Sequence, residues 1–371
     1  MAHSAALVTA GTALIASCYG LARFTYGLFS PDFAAEFALS PAMSGVLGSG
    51  SYVGYCVAIV VATVLTPRWG ARRVAVLAGA TATVGIATVA ASSSAAMLAV
   101  GILVAGSSTG IASPPMAAAV ARWISQRRRD QAQTLVNAGT GIGVLLSGPI
   151  ALALRSDWRS AWAIFAVLSA LVTVAVWRYV PAGVHAPEGH RSPGNWPPGS
   201  VRLLVCSAAL GLASIAVWTL GRQVISEQGG TPLVSALVWT VLGGAGLVGA
   251  VSGPLVGRLG IARAWQLGMV LMGAATTAFA VFAQLPVVTV AAAFAFGAAY
   301  IALTGVLLVW ATRLFPQRVA FGVGSAFLVV AAGQAAGSTL AGSGVQMLSV
   351  TTVFIICTAI ALAGAAVGHR L

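Results

Sequence analysis

The chain has 371 residues, of which 59% are hydrophobic and 7% are charged, and its mean hydropathy is +0.96. This composition excludes a soluble globular fold, because a chain with so few polar residues has an apolar exterior. A formal net charge of +13 would suggest nucleic-acid binding in a soluble protein. Here the arginines cluster in short connectors, so we expect a lipid bilayer and no nucleic acid as partner.

Twelve apolar segments follow one another along the chain, each close to the roughly 20 residues that cross a bilayer as a helix. They cover residues 5–30, 42–66, 73–93, 96–122, 131–154, 160–180, 202–224, 232–256, 262–283, 286–312, 319–342 and 348–368. The sequence therefore predicts an all-α membrane protein with twelve transmembrane helices. Residues 181–200 are rich in proline and glycine, which predicts a solvated linker between an N-terminal six-helix bundle, residues 1–180, and a C-terminal one, residues 201–371.

The two halves resemble each other at a nearly constant offset. Glu36 and Pro41 match Glu227 and Pro232, each 191 residues further along the chain. A duplicated six-helix unit is typical of transporter folds whose halves rock about a site near the middle of the membrane. The repeat therefore predicts two pseudo-symmetric bundles around a central cavity.

The arginines predict the orientation of the chain in the membrane. With the N-terminus inside, fifteen of the nineteen arginines lie on the cytoplasmic side, Arg23 lies within the membrane, and only Arg155, Arg159 and Arg222 lie outside. Because short cytoplasmic loops carry the excess of positive charge, we expect both termini in the cytoplasm.

Two loops and two helices resemble a known family. PRWGARRV at 67–74 and GRLGIARA at 257–264 resemble the repeated loop signature of the major facilitator superfamily, although Pro67 and Gly257 replace its acidic residue. ARFTYGLFSPDFAAEFALS at 22–40 and SYVGY at 51–55 resemble the YbfB/YjiJ-type branch of that superfamily. The resemblance implies a secondary carrier with the superfamily fold in a bacterial cytoplasmic membrane.

One arginine lies inside the first apolar segment. At 3.6 residues per turn, Tyr19, Arg23 and Tyr26 share one helix face, and Tyr52 and Tyr55 share one turn of the second segment. A guanidinium that faces lipid is costly, whereas one that faces a cavity can bind a carboxylate through two hydrogen bonds. We expect these five residues to form a substrate site; the alternatives are a structural arginine and tyrosines that anchor the chain at the membrane interface.

Further polar or aromatic residues in the apolar segments are weaker candidates for the same site. Ser108 belongs to GSSTGIASPP, residues 106–115, where two prolines free backbone carbonyls and predict either a substrate contact or a packing kink. The others, any of which could instead join helices to one another, are Asn137, Thr140, Ser214, Trp218, Tyr300, Thr304 and Gln334.

The acidic residues fall at helix ends or in loops. They are Asp32, Glu36, Asp130, Asp157, Glu188 and Glu227. Without a carboxylate in the middle of a predicted helix, proton coupling would require Asp32, Glu36 or a proton carried by the substrate. We expect Asp130 to cap the fifth helix.

The leading hypothesis is a secondary transporter of a small, carboxylate-like organic anion, with Arg23 as the counter-charge. The alternatives are efflux of amphipathic or cationic compounds and a receptor without transport activity. We expect no enzyme, because no nucleophile lies with a base inside the membrane. The four cysteines lack metal-site spacing, so no metal or cofactor is expected. The protein is expected to act as a monomer.

Overall fold

The computed structural model describes residues 2–154, 157–183 and 196–368. Arg155, Glu188 and residues 184–195 of the predicted linker lie outside this range. Twelve helices in the described residues are long and apolar enough to cross a membrane, which confirms the predicted number. They are α1 (Ser4–Glu36), α2 (Val46–Trp69), α3 (Ala71–Ala90), α4 (Ala95–Trp123), α5 (Gln126–Ala153), α6 (Trp158–Tyr179), α7 (Ser200–Glu227), α8 (Leu233–Ala250), α9 (Ser252–Val281), α10 (Pro286–Leu314), α11 (Val319–Gly342) and α12 (Val350–Gly368).

Side-chain caps begin several of these helices. The helices that contain α2 and α8 begin at Pro41 and Pro232, shortly before the apolar spans. Oγ of Ser40 and Oγ1 of Thr231 cap them by accepting hydrogen bonds from backbone nitrogens three residues on, at 3.2 and 3.3 Å, and the two caps lie 191 residues apart. Asp157 caps α6 through the amide of Ser160 at 3.1 Å and also accepts from the Ser160 hydroxyl. These hydrogen bonds from Ser160 lower the pKa of the Asp157 carboxyl. Local sequence thus sets where the helices start.

Two glycines with left-handed backbone mark equivalent turns in the two halves. Gly70 ends α2 with φ 82° and ψ 152°, and Gly260 interrupts α9 with φ 79° and ψ 166°. A side chain is strained at such a φ, whereas glycine adopts it without steric cost. The two positions lie 190 residues apart, so the repeat extends to backbone conformation. We call the end of the molecule that carries Gly70, Gly260 and Arg313 the arginine-rich side.

Helices α1–α6 and α7–α12 form two bundles that meet along α2 with α11 and α5 with α8. At the α5–α8 contact, a Cβ atom on Gly243 would overlap the backbone nitrogen of Leu145, so glycine permits this close approach. Aliphatic side chains such as Val57 and Leu171 are exposed on the outer surface. That surface is where lipid would replace water as the solvent.

The first helix departs most from the predicted boundaries. It continues to Glu36 rather than ending near residue 30, and residues Ala16–Phe24 form a π-helix. Thr25 stabilises this segment, because its Oγ1 donates to the Gly20 carbonyl at 2.9 Å. Thr109 of α4 adds a hydrogen bond to the Cys18 carbonyl at 2.9 Å. Nine residues of π-helix are unusual, since most such segments are single turns found near functional sites.

Asp130 does not have the predicted capping role. Ser125 is the N-cap residue of α5, and the Asp130 carboxylate instead forms an ion pair with Arg313 at the end of α10. The prediction was wrong because a capping side chain must precede the first turn, and α5 already begins at Gln126. The ion pair joins the two bundles on the arginine-rich side.

Candidate functional site

A small cavity lies between the two bundles, and helices from both contribute to it. Its volume is about 10 Å3, which is room for roughly one water molecule. It is lined by Tyr19, Arg23, Tyr55, Asn137, Thr140, Tyr300, Ile301, Thr304, Phe327, Val330 and Gln334. In this conformation the bundles are therefore closed around their polar residues.

Arg23 is the only charged side chain in this lining and is 5% exposed. Its Nη2 donates to Oε1 of Gln334 at 2.6 Å. Among the described residues, its Nε has no hydrogen-bond partner. The guanidinium carbon lies 4.5 Å from the ring centroid of Tyr52 and 4.8 Å from that of Tyr55, so aromatic rings contact the guanidinium.

Gln334 belongs to α11, so its hydrogen bond with Arg23 of α1 joins the two bundles. The Gln334 amide nitrogen donates to the Tyr300 hydroxyl at 3.1 Å and to Oγ of Ser214 at 3.4 Å. These bonds hold the amide with its oxygen toward the guanidinium. Gln334 is fully buried, which makes the bond stronger than it would be in water.

A hydroxyl cluster lies beside Arg23 within the first bundle. The Tyr19 hydroxyl is 3.0 Å from that of Tyr55 and 2.6 Å from Oγ of Ser113. Ser113 comes from the proline-containing segment of α4. The π-helix places Tyr19 and Arg23 toward the same cavity, although its wider turns change the spacing expected for an α-helix.

Asn137 forms a second polar link between the bundles. Its Nδ2 donates to Oγ1 of Thr304 at 2.9 Å and to the Ile301 carbonyl at 3.1 Å, both on α10. Thr140, one turn further along α5, also lines the cavity. We call Asn137, Thr140 and Thr304 the asparagine pole of the cavity, and Arg23 with Gln334 the Arg23 pole. Both poles border the cavity, and the apolar side chains of Phe327 and Val330 also line it.

An aromatic cluster lies next to the cavity, toward the side opposite the arginine-rich side. The Phe24 ring stacks on Trp218 with centroids 4.0 Å apart, and Trp218 meets Tyr300 edge to face at 5.3 Å. Trp239 and Trp218 also meet edge to face, with ring centroids 5.7 Å apart. One turn beyond Trp218 on α7, Arg222 donates to the Leu28 carbonyl. These rings pack α7 against α1.

The structure brings most predicted site residues together. Of the ten candidates, Tyr19, Arg23, Tyr55, Asn137, Tyr300 and Gln334 line the cavity, while Tyr52 and Trp218 contact its residues. Tyr26 lies apart, because the π-helix changes the helix register and its hydroxyl donates to the Ser44 carbonyl at 2.8 Å. Ser108 is also apart and bonds to the Ala105 carbonyl of its own helix at 2.6 Å.

Sequence reasoning did not identify the apolar lining or the aromatic contact. Ile301, Phe327 and Val330 line the cavity, and Phe24 stacks on Trp218. In sequence these residues look like any other apolar residues of a membrane helix. The one signal in the sequence was the position of Phe24 directly after Arg23, which placed it near the predicted site.

The carboxylates of the described residues are used elsewhere or remain at the helix ends. The two ion pairs in the described ranges join Glu36 to Arg159 at 2.6 Å and Asp130 to Arg313. Glu36 also accepts a hydrogen bond from Nε1 of Trp158 at 2.6 Å. Within the described part of the chain, no carboxylate pairs with Arg23.

The chain belongs to the Major Facilitator Superfamily, whose sequence model matches residues 12–266. The human organic anion transporter MFSD10 (TETRAN) has the same fold, with a TM-score of 0.75 over 99% of both chains and 16% sequence identity. At that identity the likeness concerns the fold alone.

Two bacterial relatives match a shorter stretch. The YgaY protein of Escherichia coli strain K12 and the "Uncharacterized transporter YgaY" of Escherichia coli O157:H7 are each 29% identical to the chain over 152 residues. The match covers 40% of this chain and 38% of the length of each relative. The narrower resemblance to the YbfB/YjiJ-type branch stays a prediction.

Proposed function

We propose that this protein is a secondary transporter that carries a small organic anion across the membrane by alternating access. The central observation is the buried Arg23, which no carboxylate of the described residues neutralises. An isolated charge in a low-dielectric interior is costly, so the site favours a ligand of opposite charge. Membership in the Major Facilitator Superfamily supports transport as the activity.

The hydrogen bonds of Arg23 favour a carboxylate in particular. Nε–H and one Nη2–H of a guanidinium point in the same direction and match the two oxygens of a carboxylate. Here the Gln334 oxygen accepts only from Nη2, and Nε has no partner among the described residues. A ligand carboxylate that displaces Gln334 would satisfy both donors, and leaving one buried donor unpaired costs about 1–3 kcal/mol.

The same charge disfavours a cationic substrate. A cation bound beside Arg23 would face a like charge, and like charges repel strongly at low dielectric. The aromatic contacts of Tyr52 and Tyr55 are already made with Arg23 itself. Efflux of cationic compounds is therefore the weaker hypothesis.

The proposal also covers the orientation of the chain in the membrane and the coupling of transport to protons. Both termini face the cytoplasm of a bacterial cell, since the loops on the arginine-rich side carry most of the positive charge. The protein acts as a monomer, and the cavity that contains Arg23 lies between its two bundles. Any proton coupling runs through the substrate or through Asp32 or Glu36 near the end of α1.

Binding of small monocarboxylates to purified protein tests this proposal. We expect butyrate to raise the melting temperature, because a ligand that binds the folded state stabilises it. Arg23→Lys keeps the charge without the paired donors and should weaken butyrate binding, and Arg23→Gln should weaken it further. The matched control is Arg222→Gln, which removes a partly buried arginine outside the cavity lining.

Uptake into proteoliposomes provides the second measurement. Labelled butyrate should enter vesicles that contain the parental protein faster than it enters protein-free vesicles, and Arg23→Gln should abolish this protein-dependent uptake. If both Arg23 variants fold and transport butyrate at the parental rate, Arg23 is structural and the proposal is wrong.

A further inference from the structure

We infer that the preferred substrate is a monocarboxylate that also carries a hydroxyl group, and that Asn137 and Thr140 recognise this hydroxyl. The inference rests on the proposed function, because Arg23 must hold the carboxylate. It adds a second recognition point on α5, at the other polar pole of the same cavity.

The asparagine pole has hydrogen-bonding capacity that the protein does not use. The two N–H groups of Asn137 bond to Thr304 and Ile301, and Oδ1 has no hydrogen bond within the described residues. The hydroxyl of Thr140 likewise has none in the part of the chain that the structure describes. Neither oxygen belongs to the fully enclosed unpaired atoms, so both keep a small accessible surface, and both residues line the cavity.

A hydroxyl group fits these two atoms. It donates one hydrogen bond and accepts others, so it can donate to Oδ1 of Asn137 and accept from the Thr140 hydroxyl. A keto group cannot donate to Oδ1. An ammonium group would place a second positive charge in the cavity with Arg23.

The remaining lining limits the rest of the ligand. One guanidinium neutralises one carboxylate, and a second carboxylate would stay uncompensated in a buried site. The closed cavity holds about one water molecule, so a ligand enters only as the bundles separate, and Ile301, Phe327 and Val330 then offer apolar contacts for a short carbon chain. The geometry thus points to a short aliphatic hydroxy acid with one carboxylate.

A ligand with both groups would also act on both links between the bundles. Its carboxylate competes with Gln334 for Arg23, and its hydroxyl contacts Asn137 next to the bond with Thr304. A ligand with only the carboxylate reaches the first link alone. The second group therefore adds affinity through a separate set of residues.

The experiment measures the affinity of purified protein for butyrate, its 2-, 3- and 4-hydroxy derivatives and 2-oxobutyrate by calorimetry. We expect at least one hydroxy derivative to bind about tenfold more tightly than butyrate, the factor for one well-made hydrogen bond in a buried site. The 2-oxo acid should show no such gain. Arg23→Gln should weaken all five ligands.

Thr140→Val removes the hydroxyl and nearly keeps the shape of the side chain. We expect this variant to lose most of the gain from the hydroxyl, so that its affinities for butyrate and for the preferred hydroxy derivative become nearly equal. Asn137→Ala should lose the gain as well; if it fails to fold, Thr140→Val still decides. The matched control is Thr88→Val on α3, whose hydroxyl bonds to the Val84 carbonyl of its own helix.

The outcomes separate this inference from the proposed function. If butyrate binds but no hydroxy derivative binds more tightly, or if the gain survives Thr140→Val, the hydroxyl site is refuted and the anion site stands. If none of the five ligands binds the parental protein, the proposed function fails and the inference fails with it.

Discussion

Gln334→Glu places a carboxylate where the amide oxygen now accepts a hydrogen bond from Arg23 at 2.6 Å. The two side chains have nearly the same shape, so Tyr300 and Ser214 still surround the new group. The new carboxylate can accept from both Nε and Nη2 of the guanidinium. We therefore expect the introduced carboxylate to fill the anion site beside Arg23 and to exclude external carboxylates.

The strength of this effect follows from the change in acceptor. A ligand must displace a neutral amide from Arg23 in the parental protein but a charged, bidentate carboxylate in the variant. Hydrogen bonds to charged groups contribute about 1.5–3 kcal/mol. The affinity for butyrate should therefore fall roughly 10- to 150-fold. The neutral variant Gln334→Leu removes the competing acceptor, so its affinity should stay within about fivefold of the parental value or rise.

Calorimetry and melting curves with butyrate measure both variants. Gln334→Glu should fold and melt at a temperature that butyrate no longer raises, whereas Gln334→Leu should keep the shift. Gln131→Glu, an exposed position on α5, controls for the added charge. Equal butyrate affinity in the two Gln334 variants would show that the Nε and Nη2 donors of Arg23 do not bind the ligand.

Three further changes test other parts of the molecule. Asp130→Asn breaks the ion pair with Arg313 that joins the two bundles. Hydrogen exchange of the facing ends of α5 and α10 should then rise a few-fold, because a partly exposed ion pair contributes roughly 0.2–1 kcal/mol. An unchanged exchange rate would argue that the ion pair does not hold these ends together. Trp218→Ala should cost about 3–5 kcal/mol of stability, seen as a lower melting temperature that Trp218→Phe largely restores; a parental melting temperature in the alanine variant would contradict the packing role. Asp32→Asn and Glu36→Gln should keep butyrate affinity, and the pH dependence of uptake should follow the pKa of the carboxylate supplied rather than a fixed midpoint that either variant abolishes.

Most of the fold could be predicted from the sequence because lipid imposes few solutions. Each crossing must satisfy its own backbone, so every apolar stretch of sufficient length is a helix. The turns at Gly70 and Gly260 also carry visible signals, since glycine and arginine follow the apolar stretches. The extension of α1 to Glu36 was not predicted, because Ser30, Pro31 and Asp32 look like the end of a helix in a sequence read without its neighbours.

The site could be predicted only in part. Arg23 stood out because a guanidinium in an apolar segment has few tolerable environments. Tyr26 was placed by α-helical periodicity, and the π-helix of Ala16–Phe24 removes the basis for that placement. Gln334 was one of several polar candidates, and its importance arises from its 2.6 Å contact with a residue 311 positions away. No local pattern encodes a contact at that separation.

Under the proposed function, the two polar poles would connect ligand binding with the movement of the bundles. Arg23 with Gln334, and Asn137 with Thr304, are both hydrogen bonds from one bundle to the other, and both border the cavity. When the cavity is nearly closed, these pairs satisfy groups that would otherwise be buried without partners. A ligand that replaces the partners keeps these groups satisfied while the bundles separate. Without a ligand, separation breaks both bonds, each at a cost of about 1 kcal/mol or more. In the proposed transport cycle, the same residues would recognise a substrate and lower the barrier to rocking when it is bound, which is the differential affinity that a coupled change of state requires.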